Sequence, residues 1–396
     1  MNNFVIKVCC SEWENASRDK RELAVCQELG ARVQVLAKLR SDGKTDEEVE
    51  GFPVHRITTK PISKRFFKHL NRFVSLFKWA KWLKRQQPAI ISGHDLEGML
   101  IAYLSTLFIK RSKKPLLIYD SHEFELGRER NLKKPIKRVL VKTIENFLIK
   151  KSSGFIVVSN SIAEKTKEIY RMSYMPLVVR STPAYWELDV QKIESRRKSI
   201  LLSFNNKSVK YFVMYHGALY PHRGIENMLR AVSELCEVGC FILGNGSPDY
   251  LMALKDRCNE LSITDRVLFE NAVSMTVLPE YVASADIGFA TMEPVTQSYY
   301  YSLPNKLFEN IQAKTPLIVS NFPELSKVIK DFGIGIAVDP MCVEEIKQAI
   351  TTILFNSEKR NAIINSLAIA KEELCWEKEK KKLINLYTEL FAKINI

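Results

Sequence analysis

The stretch Tyr299-Tyr-Tyr-Ser-Leu-Pro-Asn-Lys-Leu-Phe-Glu309, running on into Asn310-Ile-Gln-Ala-Lys-Thr-Pro-Leu-Ile-Val319, reads as a loop, a helix opened near Pro304 and a buried strand after Pro316. A proline in the first helical turn suits an open helix N-terminus, whose unpaired N–H groups attract an anion. Glu309 lies about one and a half turns into that helix, where its carboxylate can accept hydrogen bonds from a diol. A diphosphate at the helix end with a ribose beside it describes a nucleotide-sugar site. This reading puts Ser302, Leu303, Pro304, Asn305, Lys306 and Glu309 around the nucleotide.

Outward from that segment, apolar strands alternate with helical patterns. A first series has strands at 4–8, 33–37, 54–57, 89–92, 116–119 and 155–159, with helices at 19–29, 96–108, 135–150 and 162–170 between them. A second has strands at 211–217, 239–243, 267–269, 286–290 and 317–319. Such alternation implies parallel sheets covered on both faces. At 396 residues the chain exceeds what one core usually supports. The expected fold is therefore α/β, with two doubly wound, Rossmann-like domains facing across a cleft. The first is expected at 1–176, a linker with an irregular excursion at 177–210, and the second domain at 211–375. Neither a 20–50-residue repeat nor a low-complexity tract interrupts them.

The chain is 46% hydrophobic and 26% charged, an ordinary globular composition. Its apolar runs are too short to span a bilayer, and the N-terminus reads as a first buried strand rather than a signal peptide. Eight cysteines form no C-x-x-C pair or zinc-finger spacing, so they read as reduced thiols of a cytoplasmic protein. The net charge of +14 is lopsided: residues 1–180 carry +16 and the remainder −2. Such asymmetry points to an anionic partner for the first half. Residues 61–87 show it most plainly, with Lys64, Arg65, Lys68, Arg72, Lys78, Lys81, Lys84 and Arg85 and no acid. Ile62, Phe66, Leu70, Phe73, Phe77 and Ala80 recur there at helical spacing, with Trp82 broadening the apolar side. A basic amphipathic helix suits an anionic membrane surface; the alternative is a helix packed on its own sheet with a solvated basic face. A further run from Arg128 to Lys142 extends the positive patch. The cations sit beside no RNA or DNA motif, so nucleic acid is not an expected partner.

In the second half, Gly217-Ala-Leu-Tyr-Pro-His-Arg223-Gly224 follows a strand and opens a helix, a phosphate-binding arrangement in which Arg223 can pair oxygens bidentately. Strand 239–243 ends in Gly244-Asn-Gly246, at the sheet edge where open α/β sheets bind ligands. In the first half, Ile91-Ser-Gly-His94-Asp95 and Ile118-Tyr-Asp120-Ser-His122-Glu123 each end a buried strand with a His and a carboxylate. The alternatives are caps: His94 or Asp95 for a helix from Leu96, and Ser121 or Asp120 for a helix after them. Residues 11–21, including Arg18 and Asp19, read as a polar loop at the same edge. Neither H-x-x-x-H nor H-E-x-x-H spacing occurs, and no metal is expected.

Together these segments resemble the family-4 glycosyltransferases of GT-B fold (glycosyl transferases group 1), over essentially the whole chain and in family order. The family's E-x7-E pattern keeps its second acid as Glu309 and has Tyr301 in place of the first. Its G-R-x5-K-G loop keeps Gly217 and Gly224, with Ala218 for the Arg and Arg223 for the Lys. The resemblance implies that Gly244 and Gly246 belong to the nucleotide pocket and that the loop at Asn271 reads the base. It implies that His122 sits close to the donor sugar, as a catalytic residue with Arg223 and Lys306. Arg18, Asp19, His94, Asp95, Asp120 and Glu123 then lie on the acceptor side, and helix 376–396 crosses back to the first domain. The implied activity is retaining, metal-independent sugar transfer from a nucleotide-sugar to a glycan or glycolipid, without cofactor. Lipopolysaccharide, capsule or exopolysaccharide synthesis at the inner face of the cell membrane is the implied setting. Two other readings remain open: a nucleotide-sugar 2-epimerase on the same scaffold, and an inactive nucleotide-sugar-binding protein.

Overall fold

Strand β1 (Phe4–Cys9) is buried at every position, as a central parallel strand requires, yet carries Lys7 in its middle. A computed structural model describes residues 3–10, 13–39, 44–57, 68–128 and 134–394. In it β1 joins β2 (Arg32–Lys38), β3 (Asp46–Val49), β4 (Phe52–Ile57), β5 (Ile90–His94), β6 (Leu116–Ser121), β7 (Gly154–Val157) and β8 (Leu177–Val178). Their order is β3-β4-β2-β1-β5-β6-β7-β8. Pairing is parallel throughout except for the β3–β4 hairpin. A second sheet orders β9 (Tyr211–His216), β10 (Val238–Leu243), β11 (Val267–Glu270), β12 (Ile287–Ala290), β13 (Leu317–Ser320) and β14 (Gly335–Val338) as β11-β10-β9-β12-β13-β14. Both sheets reverse winding direction, the first between β1 and β5 and the second between β9 and β12. The carboxyl ends of strands at such a point are where open α/β sheets bind ligands.

The chain divides into two compact units, Met1–Arg180 with Lys380–Ile396, and Ser181–Glu379. The last helix, Trp376–Ile394, thus returns to the first unit, where Tyr387 donates to Glu22 at 2.6 Å. The stretch 177–210, expected as a linker with an irregular excursion, holds the crossing between the units at Arg180–Ser181 but is largely regular. Leu177–Val178 is the edge strand β8, and Val190–Ser203 is a helix of the second unit. Asp189 caps that helix by accepting from Gln191 and Lys192, and Ile200 with Phe204 packs against Phe212, Met214 and Phe241. Dense charge at Glu194–Lys198 hid the apolar stripe from a reading by composition.

Helix Lys68–Gln86 buries Leu76, Trp79, Ala80 and Leu83 and leaves Phe77, Lys78, Lys81, Lys84 and Arg85 exposed. The buried stripe thus differs from the expected one, of which Ala80 is buried, Phe77 is exposed and the side chains of Ile62, Phe66, Leu70 and Phe73 lie outside the described residues; Trp82 stacks on His55 with ring centroids 4.4 Å apart. Lys64 and Arg65 lie outside the described residues, as do the side chains of Lys68 and Arg72. Among the described residues no helix is long and apolar enough to cross a membrane.

Candidate active site

In the second unit the site is built at the ends of β9 and β12. Gly217 (φ +115°) turns the chain out of β9, and Gly224 (φ +73°) caps the helix Ile225–Ser233. The turn at Gly217 lies directly on the turn at Gly244. Gly217 N donates to Leu243 O, and Leu219 N to Asn245 O, each at 2.9 Å. A Cβ on Gly244 would stand 1.9 Å from Gly217 O, and one on Gly246 would stand 2.6 Å from Leu219 O. The two glycines are thus required for backbone packing. Asn245 Oδ1 also accepts from Ala272 N at 3.1 Å, which brings the exposed loop of Asn271 alongside.

Arg223 and Lys306 meet beside this turn without an acid to neutralise them both. The Arg223 guanidinium lies 4.7 Å from the Tyr299 ring centroid and donates to Met292 Sδ at 3.3 Å. Lys306 Nζ sits 3.7 Å from the Tyr215 ring centroid; it is buried and has no hydrogen-bond partner. Burial, then the charge of Arg223, holds the Lys306 pKa well below the ordinary lysine range against the opposing pull of Glu309. Lys306 is the second residue of helix Asn305–Gln312, whose N-terminus has Pro304 as N-cap and no side-chain cap. Glu309 on that helix binds His216 Nε2 at 2.9 Å, while His216 Nδ1 and Thr291 Oγ1 are buried without partners. Ser302 Oγ donates to Tyr299 O at 2.9 Å, and Asn305 is exposed. Leu303, expected beside the nucleotide, is a core residue, which limits it to backbone contacts. Two cations, an open helix end and several unmet polar atoms make an anion receptor with a carboxylate at its rim.

In the first unit the ends of β1, β5 and β6 converge on a buried charge network. Lys7 Nζ contacts Asp19 at 3.0 Å, Glu22 at 2.5 Å and Asp120 at 2.8 Å. Arg18 meets the other oxygen of Asp120 at 2.8 Å and donates to Val179 O. Arg18 and Asp19 are therefore not in a polar loop as expected. They occupy the first turn of helix Ser17–Glu28 and are buried, Asp19 as a counter-charge to Lys7 inside β1 and Arg18 as one to Asp120. The cap readings fall as well. His94 stands at the N-cap of helix Asp95–Ser105 without a side-chain bond, and Asp95 accepts from His122 N at 2.9 Å and pairs with Arg128 at 2.6 Å; Ser121 Oγ donates to Glu123 O, and Asp120 is taken up by Lys7 and Arg18. Asp95 holds a left-handed backbone (φ +55°), a strain of the kind found at functional positions.

His122 Nε2 lies 2.9 Å from Asp120 and 3.3 Å from Asp19, and its ring centroid is 3.9 Å from that of His94. Burial opposes its charge, but Asp120 and Asp19 outweigh it and raise the pKa to about 9. The imidazolium form thus holds at neutral pH, with one edge of its side chain still accessible. His94 Nδ1 bonds Asp19 at 2.7 Å, and Glu123 points outward to Arg128 at 2.9 Å. Lys7, Arg18, His122 and Arg128 face six carboxylates here, those of Asp19, Glu22, Asp95, Asp120, Glu123 and Glu125, so acids outnumber cations. Donor atoms of Cys9, Asp19 and His94, and of Asp19, Asp120 and His122, lie close enough together to hold a cation. The ammonium of Lys7 already faces two of those carboxylates and would compete with one.

The two Rossmann-like sheets and these strand-end sites define a GT-B glycosyltransferase. The profile of the glycosyl transferases group 1 matches residues 198–367, and that of glycosyltransferase family 4 matches residues 23–180. The chain belongs to this family and is a transferase. It is 24% identical to an uncharacterized glycosyltransferase of Methanocaldococcus jannaschii, over 96% of this chain and 98% of that one. It is 21% identical to the alpha-D-kanosaminyltransferase of Streptomyces kanamyceticus over 73% and 74%. It is 24% identical to the O-antigen chain mannosyltransferase RfbU of Salmonella typhimurium over 44% and 48%. Sucrose-phosphate synthase of Thermosynechococcus elongatus shares the fold with a TM-score of 0.78 at 15% identity, covering 98% of this chain and 99% of that one. Anabaena HepE, solved with UDP-glucose, does so at 0.76 and 16% over the same shares.

Sequence reasoning missed His216, Thr291, Lys7 and Glu22. His216 carried a positional signal, since it ends β9 one residue before the glycine turn. A buried lysine inside a strand is visible as an oddity, but its partners come from 12 to 113 positions away.

Proposed function

We propose that this protein transfers a sugar from a nucleotide-sugar to a glycan or glycolipid acceptor in cell-surface polysaccharide synthesis. The observation that carries the reading is the pair of basic residues Arg223 and Lys306, opposed at Lys306 by the single charge of Glu309, at the open end of helix Asn305–Gln312. A diphosphate supplies the missing charge, and Glu309, oriented by His216, accepts hydrogen bonds from the ribose. As the bond to the sugar breaks, negative charge grows on the leaving phosphate, where both cations stabilise it without a metal. Transfer with retention follows when that phosphate accepts the acceptor's proton on the same face. The excess of carboxylates around His122 suits sugar hydroxyls, which can donate to them, rather than a second anion, and this favours Arg18, Asp19, His94, Asp95, Asp120 and Glu123 as the acceptor-side support. An anionic membrane surface, on the cytoplasmic side, is the proposed place of work.

A thermal-shift screen of nucleotide-sugars tests the donor site, since a ligand at ~100 times its Kd adds ~2.7 kcal/mol. With the donor so found, Arg223→Ala is expected to lower turnover well over tenfold, given ~3 kcal/mol for a lost charge-stabilising donor. Unchanged turnover rejects the assignment. NMR of donor alone separates transfer from 2-epimerisation, which needs no acceptor.

A further inference from the structure

Helix Pro135–Lys151 has two apolar faces, and the fold buries only one; on the other, Phe147 meets the Tyr103 ring edge-on at 5.0 Å while staying 43% exposed. The inner face buries Leu148 and Ile149 and anchors Glu145, which accepts from Tyr119 at 2.8 Å and Tyr170 at 2.5 Å. On the opposite side Ile136 is 86% exposed, Val139 66%, Leu140 58% and Phe147 43%. At about 3.6 residues per turn these four fall within about 100° of one another, a continuous stripe directed away from the core. The helix and its preceding residue hold six cations (Lys134, Lys137, Arg138, Lys142, Lys150, Lys151) against the single acid Glu145, which is buried. A core-facing stripe needs no second apolar side, and a contiguous exposed apolar strip rimmed by charge marks an interaction surface.

We infer that the outer face of helix Pro135–Lys151 docks the protein onto an anionic lipid surface, with Ile136, Val139, Leu140 and Phe147 entering the headgroup–acyl boundary. This rests on the membrane reading given above and moves its seat from helix Lys68–Gln86, where Leu76, Trp79, Ala80 and Leu83 are buried and Phe77 is the exposed large apolar side chain among its described residues. Charge complementarity selects the occupant. A second copy of this face would bring two cationic rims together, whereas acidic headgroups neutralise the rim while acyl chains cover the stripe.

Vesicle co-sedimentation of the full chain decides the matter, with phosphatidylglycerol-containing and purely zwitterionic vesicles. Wild-type protein is expected on the anionic vesicles only, with binding weakened at about 1 M salt, where screening extends only ~3 Å. Ile136→Asp with Leu140→Asp should reduce partitioning more than about tenfold. These residues are solvent-exposed, so an unchanged melting temperature is expected to accompany the loss. Lys78→Glu with Lys81→Glu should change partitioning far less. Loss in the Lys78 pair with retention in the Ile136 pair overturns the helix assignment and leaves the membrane reading standing. Failure of wild-type protein to bind either vesicle overturns both. Concentration-dependent dimerisation that Leu140→Asp abolishes, without lipid binding, replaces lipid by a second copy.

Discussion

At Lys306 a buried ammonium without a partner sits beside another cation, and burial followed by Arg223 depresses its proton affinity. A bound diphosphate supplies opposite charge and raises that affinity again. Nucleotide binding should therefore take up a proton at pH values between the free and bound pKa of Lys306, and affinity should fall as pH rises through that window. Calorimetry with UDP above pH ~8, where the diphosphate itself is fully ionised, reads the uptake as a dependence of heat on buffer ionisation. Lys306→Met should bind more weakly and show no such dependence; wild-type heats identical in all buffers exclude the linkage. The importance of Lys306 was legible from its place beside Pro304. Its depressed pKa was not, because Tyr215 and Arg223 arrive from other elements.

Among the elements, the paired turns after β9 and β10 are the most tightly constrained. The sequence shows Gly217-x-Leu219 and Gly244-x-Gly246 as two separate strand-end turns. The fold presses them together, with space at Gly244 for a hydrogen atom only. Gly244→Ala should push the two turns apart and cost ~1–3 kcal/mol, read as a lower denaturant midpoint with weakened nucleotide binding. Stability equal to wild type contradicts the packing role. Helix Pro135–Lys151 shows the converse limit. Its cations and apolar residues are plain in sequence, but which apolar face stays outside depends on the sheet it covers.

For the molecule as a whole, Lys7 ties together the β1 strand, helix Ser17–Glu28, β5 through Ser92 and β6 through Asp120; Glu22 extends the tie to Tyr387 on the returning helix. Lys7→Met strands buried carboxylates without a counter-charge and should destabilise the protein by ~3–5 kcal/mol. Chemical denaturation checks this, and a change within about 0.5 kcal/mol contradicts it, the range of ordinary surface substitutions. The strand–helix alternation by itself determined two doubly wound units, and turn glycines with Arg223, Lys306 and Glu309 determined the family. Both depend on local periodicity and short spacing, which a linear chain displays. Tertiary structure alone decided that Asp19 is a buried partner of Lys7 and Arg18 one of Asp120, that His216 orients Glu309, and that 190–203 is a packed helix. Those facts depend on contacts between distant residues, whose charges attract or exclude one another only after the sheets bring them within a few ångströms.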